Sequence, residues 1–130
     1  MRLLLDTCVI LWANSDMLRL SRRVKAILEH EESEAFYSPM SCGEIARSAQ
    51  RNRIVIDRHW RAWFRHFVEL NGWQEIPVDL EIIEEAYSLP EPFHTDPMDR
   101  ILVATARVHG LTLLTADKAI LNYPHVRTLW

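Results

Sequence analysis

Thr95–Ala106, TDPMDRILVATA, carries the clearest structural signal in the sequence. Its second half, Ile101–Ala106, contains one polar side chain, and a helix that is apolar on every side is buried in a protein core. Asp96 is suited to cap the helix because its carboxylate can accept free N–H groups of the first turn, and Pro97 fits the first helical position. We therefore predict a core helix that begins at Pro97, with Asp99 at its entrance.

Short apolar segments flank this helix. Arg2–Leu5 and Leu111–Thr115 lack the alternation of a half-buried strand, which is typical of strands buried on both faces of a parallel sheet. The other predicted strands are Ala35–Ser38, Trp73–Val78 and an edge strand, Val126–Leu129. The helices predicted between them are Val9–Trp12, Ser21–Glu32, Ser38–Arg51, His59–Leu70, Asp79–Ser88 and Asp117–Leu121. Strands that alternate with helices predict an α/β fold. We expect a three-layer α/β/α sandwich with a mostly parallel central sheet, as one domain over residues 1–130.

Composition excludes several classes of protein. Of 130 residues, 48% are hydrophobic and 25% are charged, as in ordinary globular domains. The longest apolar run, Val9–Ala13, is too short to cross a membrane, and the N-terminus does not resemble a signal peptide, so we expect a cytoplasmic protein. Cys8 and Cys42 have neither the number nor the spacing of a disulfide framework or a zinc knuckle.

The cationic residues are mostly arginine. The net charge of −3 gives no global argument for nucleic acid binding, but thirteen of the fifteen cationic residues are arginines, whose planar fork suits phosphate and carboxylate. They either grip a phosphate backbone or form a solvated face paired with the acidic run Glu29–Glu34. Arg100 adjoins Asp99 and is predicted either to orient that carboxylate or to contact a phosphate.

Acidic residues recur where the predicted strands end. Asp6 follows the first strand, Glu44 lies in the helix after the second, and Asp117 follows Leu111–Thr115. Each has a local alternative, because the two aspartates can be helix caps and Glu44 can form a capping box with Ser41. Ligands of open α/β sheets bind at the carboxyl ends of the strands, so we expect these acids and Asp99 to meet at one edge.

Carboxylates packed together repel one another unless a cation binds between them. Hard oxygen ligands favour Mg²⁺ or Mn²⁺, one or two ions per site, and no pair of histidines offers a zinc site. His94 stands alone near the acids as a loop or supporting residue. Cys8 is no nucleophile, since the adjacent Asp6 raises the pKa of its thiol. The remaining chemistry is hydrolysis of a phosphodiester by water that a metal ion activates.

Four short motifs carry a family resemblance. They are Leu4–Thr7 (LLDT), Ser41–Ala46 (SCGEIA), His94–Leu102 (HTDPMDRIL) and Leu114–Asp117 (LTAD). Each motif alone is weak, but all four in this order resemble the PIN-domain ribonucleases, and within them the VapC-type toxins of type II toxin–antitoxin modules. The correspondence covers nearly the whole chain.

The resemblance implies a function and a set of roles. The metal-binding acids it implies are Asp6, Glu44, Asp99 and Asp117, with Asp96 as an auxiliary member or a cap, and Thr7 and Thr115 as supporting hydroxyls. It also implies Mg²⁺- or Mn²⁺-dependent endonucleolytic cleavage of RNA, a homodimer, and inhibition by a cognate antitoxin. Many relatives carry a bulkier residue where Cys8 stands and an aromatic one where Met98 stands, departures that bear on substrate preference and not on a metal ligand.

Three alternatives remain open at this point. A receiver-like phosphotransfer domain with Asp6 as phosphoacceptor would need a second acid beside Asp6 or two residues from it, and Cys8 occupies the latter position. A PIN-like binding module without catalysis is disfavoured by the complete set of acids. An RNA-processing nuclease that is not a toxin fits the same residues.

Overall fold

The computed structural model describes residues 1–130, in which strands and helices alternate. The strands are β1 (Arg2–Leu5), β2 (Glu34–Tyr37), β3 (Gln74–Glu75), β4 (Thr112–Leu114) and β5 (Thr128–Leu129). The α-helices are α1 (Thr7–Ser15), α2 (Arg22–Glu29), α3 (Pro39–Gln50), α4 (Trp60–Asn71), α5 (Leu80–Ala86), α6 (Pro97–His109) and α7 (Lys118–Leu121), with a 3₁₀ turn at Met17–Arg19.

The five strands form one sheet in the order β3-β2-β1-β4-β5, and every neighbouring pair is parallel. The first strand lies at the centre, where Leu4 pairs with Phe36 on one side and Leu113 on the other. Because all strands run the same way, their carboxyl ends lie at one edge of the sheet. The predicted α/β fold is confirmed, and the sheet is wholly parallel.

Two apolar cores cover the two faces of the sheet. Leu3 and Leu5 belong to a core that includes residues of α1 to α4, among them the fully buried Trp63. Leu4 faces the opposite side and packs in a core with α5, α6 and α7. Successive residues of a strand point to opposite faces of the sheet, so an uninterrupted run of leucines contributes side chains to both cores. The result is the three-layer sandwich expected from the sequence.

The decisive helix is buried as predicted. All six residues of Ile101–Ala106 are buried, the most exposed of them at 7%. Asp96 caps α6 by accepting a hydrogen bond from Met98 N at 3.0 Å, and Pro97 takes the first helical position. Gly110 ends the helix with φ of +64°, a left-handed conformation that glycine adopts without steric cost. Because both ends of α6 are fixed, the position of Asp99 in its first turn is fixed as well.

Some predicted boundaries were wrong. The third strand is two residues long instead of spanning Trp73–Val78, because it pairs only with the end of β2 and Pro77 lacks an N–H to extend the ladder. The first helix continues beyond Trp12 to Ser15, and α2 ends at Glu29. Residues 53–56, left open between a loop and an extended piece, form no strand. None of the helices has the length and apolar character needed to cross a membrane.

Candidate active site

Asp6 lies at the centre of the site, where β1 ends and α1 begins. Its side chain accepts hydrogen bonds from Thr7 N at 2.7 Å and from the Thr115 hydroxyl at 2.6 Å, so both oxygens are held in place. Asp6 is only 8% exposed. Burial raises the pKa of Asp6, the charge of Asp117 adds to this effect, and the bonds from Thr115 and Thr7 partly offset it.

Glu44 faces the same edge from the second turn of α3. The cap of α3 is Ser38, whose hydroxyl accepts a hydrogen bond from Met40 N, so the alternative of a capping box with Ser41 was wrong. The Thr7 hydroxyl donates to Glu44 Oε1 at 2.7 Å and shares a 2.9 Å hydrogen bond with Ser41 Oγ. Burial raises the pKa of Glu44, as do the nearby charges of Asp6 and Asp96. Ser41 thus supports the site from a fully buried position that the sequence pattern did not reveal.

Asp99 is the most perturbed of the acids. Burial, followed by the charges of the other four acids, raises the pKa of Asp99 to about 7. Asp99 Oδ2 lies 3.2 Å from Nε2 of His94, yet this buried nitrogen makes no hydrogen bond of acceptable geometry. His94 was expected to be a loop or supporting residue, and the structure places it directly beside Asp99. Its position in the third motif was the only indication in the sequence.

Asp96 and Asp117 act as helix caps with one carboxylate oxygen each. Asp117 Oδ1 accepts a hydrogen bond from Ala119 N at 2.8 Å, and the Asp117 N–H donates to the Thr115 hydroxyl at 3.0 Å. Thr115 therefore connects Asp117 to Asp6 through one hydroxyl group. The other oxygen of each cap, like Glu44 Oε2 and Asp99 Oδ1, accepts no hydrogen bond from the chain. Four acids thus keep an oxygen for a ligand.

The five carboxylates form one electrostatic cluster at the carboxyl edge of β1 and β4. Hydrogen bonds through Thr7 and Thr115 connect three of them, Asp6, Glu44 and Asp117, and burial together with the charges of the other four raises the pKa of Asp99. Their oxygens match the ligand preference of a hard divalent cation. However, no three His, Cys, Asp or Glu side chains lie close enough together to hold a metal ion as they stand. The donor chemistry and the charge fit such a cation, and its binding would have to draw the carboxylates inward.

Arg100 does not contact Asp99, and its guanidinium group is held by other acceptors of the chain. Its guanidinium donates to the backbone carbonyls of His94, Phe93 and Ala86 at 3.0–3.2 Å, and it pairs with Glu91 at 3.1 Å. The side chain is 10% exposed and turns away from Asp99 into the loop before α6. A buried charge needs several acceptors, and here the loop supplies three and the last residue of α5 the fourth. Arg100 therefore fastens the loop that carries His94.

Cys8 is not activated by its position next to Asp6. Burial, together with the charge of Asp6, raises the pKa of the Cys8 thiol to about 12. A thiolate is the reactive form of cysteine, and it is not populated at neutral pH under these conditions. The raised pKa has the cause that the sequence predicted, the neighbouring carboxylate, with burial as the larger contribution.

Comparisons with known sequences show the family of this chain. The sequence profile of the PIN domain family matches residues 3–126. Ribonuclease VapC22 of Mycobacterium tuberculosis (strain ATCC 25618 / H37Rv) is 30% identical over 129 residues, which cover 98% of this chain and 97% of that protein.

Solved structures of low sequence identity share the fold. A crystal structure of VapBC2 from Rickettsia felis, bound to a DNA fragment from the promoter, matches with a TM-score of 0.72 at 11% identity, covering 99% of this chain and 98% of that chain. A toxin–antitoxin complex from Klebsiella pneumoniae matches with a TM-score of 0.66 at 23% identity, covering 98% and 95%. The profile match, the full-length relative and the shared fold lead to one conclusion: this chain belongs to the PIN-domain family and, within it, to the VapC-type proteins.

Proposed function

We propose that the protein is a Mg²⁺- or Mn²⁺-dependent endoribonuclease. In this proposal Asp6, Glu44, Asp99 and Asp117 hold one or two cations, and Asp96 is an auxiliary member that also caps α6. The observation that carries the proposal is the meeting of five carboxylates at one edge of the sheet, where burial and the charges of the other four raise the pKa of Asp99 to about 7. A fold gains no stability from such a cluster without a cation, so its presence favours a metal-binding role.

In this mechanism the cation and the side chains of the protein have different roles. When bound, a divalent cation lowers the pKa of water and stabilises negative charge on a phosphodiester. Thr115 and Thr7 fix the orientation of Asp6 and Glu44 through hydrogen bonds of 2.6 and 2.7 Å. Because Ile101–Ala106 of α6 is buried in the core, Asp99 in the first turn of this helix is held in a fixed position at the edge of the sheet. Without cations the acids would repel a phosphodiester, so substrate and metal are expected to bind together.

RNA is the proposed substrate because the full-length relative carries the name ribonuclease. The test is cleavage of a labelled single-stranded RNA by the purified protein. We expect cleavage with Mg²⁺ or Mn²⁺, none in excess EDTA, and a loss of at least about 100-fold in Asp6→Asn. The matched control is Asp79→Asn, which alters an aspartate that caps α5 and takes no part in the cluster. Full activity in EDTA, or in Asp6→Asn, would contradict the mechanism.

We further propose that the protein is the toxin of a toxin–antitoxin pair and acts in the cytoplasm as a homodimer. The support is the VapC-type membership of the chain and the likeness of its fold to VapBC assemblies. Expression should arrest growth, and co-expression of a small protein encoded beside it should relieve the arrest. Light scattering of the purified protein should give twice the mass of one chain. An active nuclease that leaves growth unaffected would instead support an RNA-processing enzyme.

A further inference from the structure

A cleft of about 350 Å³ leads away from the acidic cluster along α3. We call it the arginine cleft, and the residues that define it are Glu44, Arg47, Ser48, Arg51, Arg53 and Asp96. Its lining includes two members of the acidic cluster, Glu44 and Asp96, and three arginines. The cleft is thus continuous with the proposed site of cleavage. Negative side chains of the acidic cluster and positive side chains of the arginines both line it.

The positions of the arginines follow from helical geometry. Arg47 and Ser48 follow Glu44 by three and four residues, and Arg51, the C-cap of α3, follows them by four and three, so the four lie along one face of the helix. Arg51 lies about 10 Å along the axis from Glu44, at ~1.5 Å per residue. Arg53 follows the end of the helix, where a turn brings it back: its N–H donates to Ser48 O at 2.9 Å. The three arginines are therefore placed by regular backbone structure.

These arginines are free to bind an external anion. Elsewhere in the chain, Arg58 pairs with Asp57, Arg107 with Glu85, and Arg100 with a glutamate and three carbonyls. Arg47, Arg51 and Arg53 are exposed and form neither an ion pair nor a side-chain hydrogen bond. Three guanidinium groups without ion-pair partners thus give the cleft a positive field beside the two carboxylates that also line it.

We propose that the arginine cleft binds the backbone phosphates of single-stranded RNA that adjoin the cleaved bond. This inference rests on the proposed function and assigns the substrate path within it. Each guanidinium group can bind two oxygens of one phosphate in a planar geometry, so three arginines in one cleft can contact successive phosphates of a strand. The cleft runs from the cluster in one direction, so it holds the strand on one side of the cleavage point.

The test compares two double variants with the same change of charge. Arg47→Gln/Arg51→Gln removes two arginines of the cleft, and Arg22→Gln/Arg23→Gln removes two exposed, unpaired arginines of α2. For a labelled RNA, we expect KM to rise about 10-fold in the cleft variant, with a much smaller change in kcat. The slope of log(kcat/KM) against log[salt] should become less steep by about 1.4, at ~0.7 for each lost phosphate contact. The control pair should leave KM within about 2-fold.

A binding measurement provides a second readout that does not depend on turnover. Fluorescence anisotropy of the same RNA, with Asp99→Asn added to each protein to prevent cleavage, should show the same loss of affinity in the cleft variant. If both double variants lose RNA affinity equally, the overall charge of the protein, rather than the arginine cleft, attracts the RNA, and the proposal is overturned. Unchanged RNA binding with weakened binding of a protein inhibitor would assign the cleft to that inhibitor and also overturn it. An inactive wild-type protein would refute the proposed function, which is a separate outcome.

Discussion

Replacing Asp99 by Asn should stabilise the metal-free protein at alkaline pH. Burial and four neighbouring acids raise the pKa of Asp99 from its ordinary 3.8 to about 7 in the folded chain. A carboxyl group with a raised folded pKa binds its proton more tightly in the folded than in the unfolded state. Its ionisation therefore opposes folding, and stability is lost as the pH rises from about 4 to about 7. An asparagine cannot ionise and removes this loss.

The size of the effect follows from the two pKa values. A rise from 3.8 to about 7 corresponds to about 4 kcal/mol above about pH 8. Roughly 1.5 kcal/mol of this loss is already present at about pH 5, where the unfolded carboxyl group is ionised. The loss between about pH 5 and pH 8 is therefore about 2–3 kcal/mol, and partial solvent contact of the side chain brings it nearer to 2.

Urea unfolding in EDTA measures this difference directly. The free energy of unfolding of the wild type should fall between about pH 5 and pH 8 by about 2 kcal/mol more than that of Asp99→Asn. Asp79→Asn is the control: it should keep the pH dependence of the wild type and lose about 1 kcal/mol at both pH values through its weakened cap. Adding Mg²⁺ at pH 8 should stabilise the wild type and have little effect on Asp99→Asn. If the free energy of unfolding had the same pH dependence in the wild type and in Asp99→Asn, the argument that burial and the neighbouring acids raise the pKa of Asp99 would be refuted.

Three further predictions concern the supporting side chains. Arg100→Met should lower the free energy of unfolding by about 2–4 kcal/mol, because three backbone carbonyls and Glu91 lose their donor; a loss below about 0.5 kcal/mol in urea unfolding would contradict it. Thr115→Val should lower kcat for RNA cleavage about 10-fold, whereas Thr115→Ser keeps the hydroxyl that orients Asp6 and should retain most activity; equal rates in both variants would count against this role. Trp63→Ala should cost about 3–5 kcal/mol in thermal unfolding, since this side chain is 2% exposed in the core, and a cost under about 1 kcal/mol would be inconsistent with its packing.

The local features of this fold could be predicted because the sequence carries them locally. Asp96 and Asp79 begin their helices as expected, and the apolar run Leu3–Leu5 forms the central strand. The third strand could not be bounded in the same way. Its length depends on how far the end of β2 extends beside it, which is a property of tertiary packing.

The same distinction, between local features and tertiary packing, applies to the site. The acids could be chosen from their positions after strands and from the family resemblance, but their contacts could not. Thr7 and Glu44 are 37 residues apart in sequence, and their hydrogen bond depends on how α1 packs against α3. Arg100 follows Asp99 directly, yet the two side chains point in different directions because a residue one position along a helix is rotated by about 100°. Adjacency in sequence was therefore a poor guide to contact.

The central claim is that the clustered carboxylates bind a divalent cation, and locating that cation tests it most directly. Crystals grown with Mn²⁺ should show anomalous difference density among Asp6, Glu44, Asp99 and Asp117, with the four side chains drawn together around it. Crystals of Asp99→Asn grown in the same solution should show this density weakened or lost. Well-ordered wild-type crystals with no density at this edge of the sheet, or with Mn²⁺ bound only elsewhere, would contradict the account.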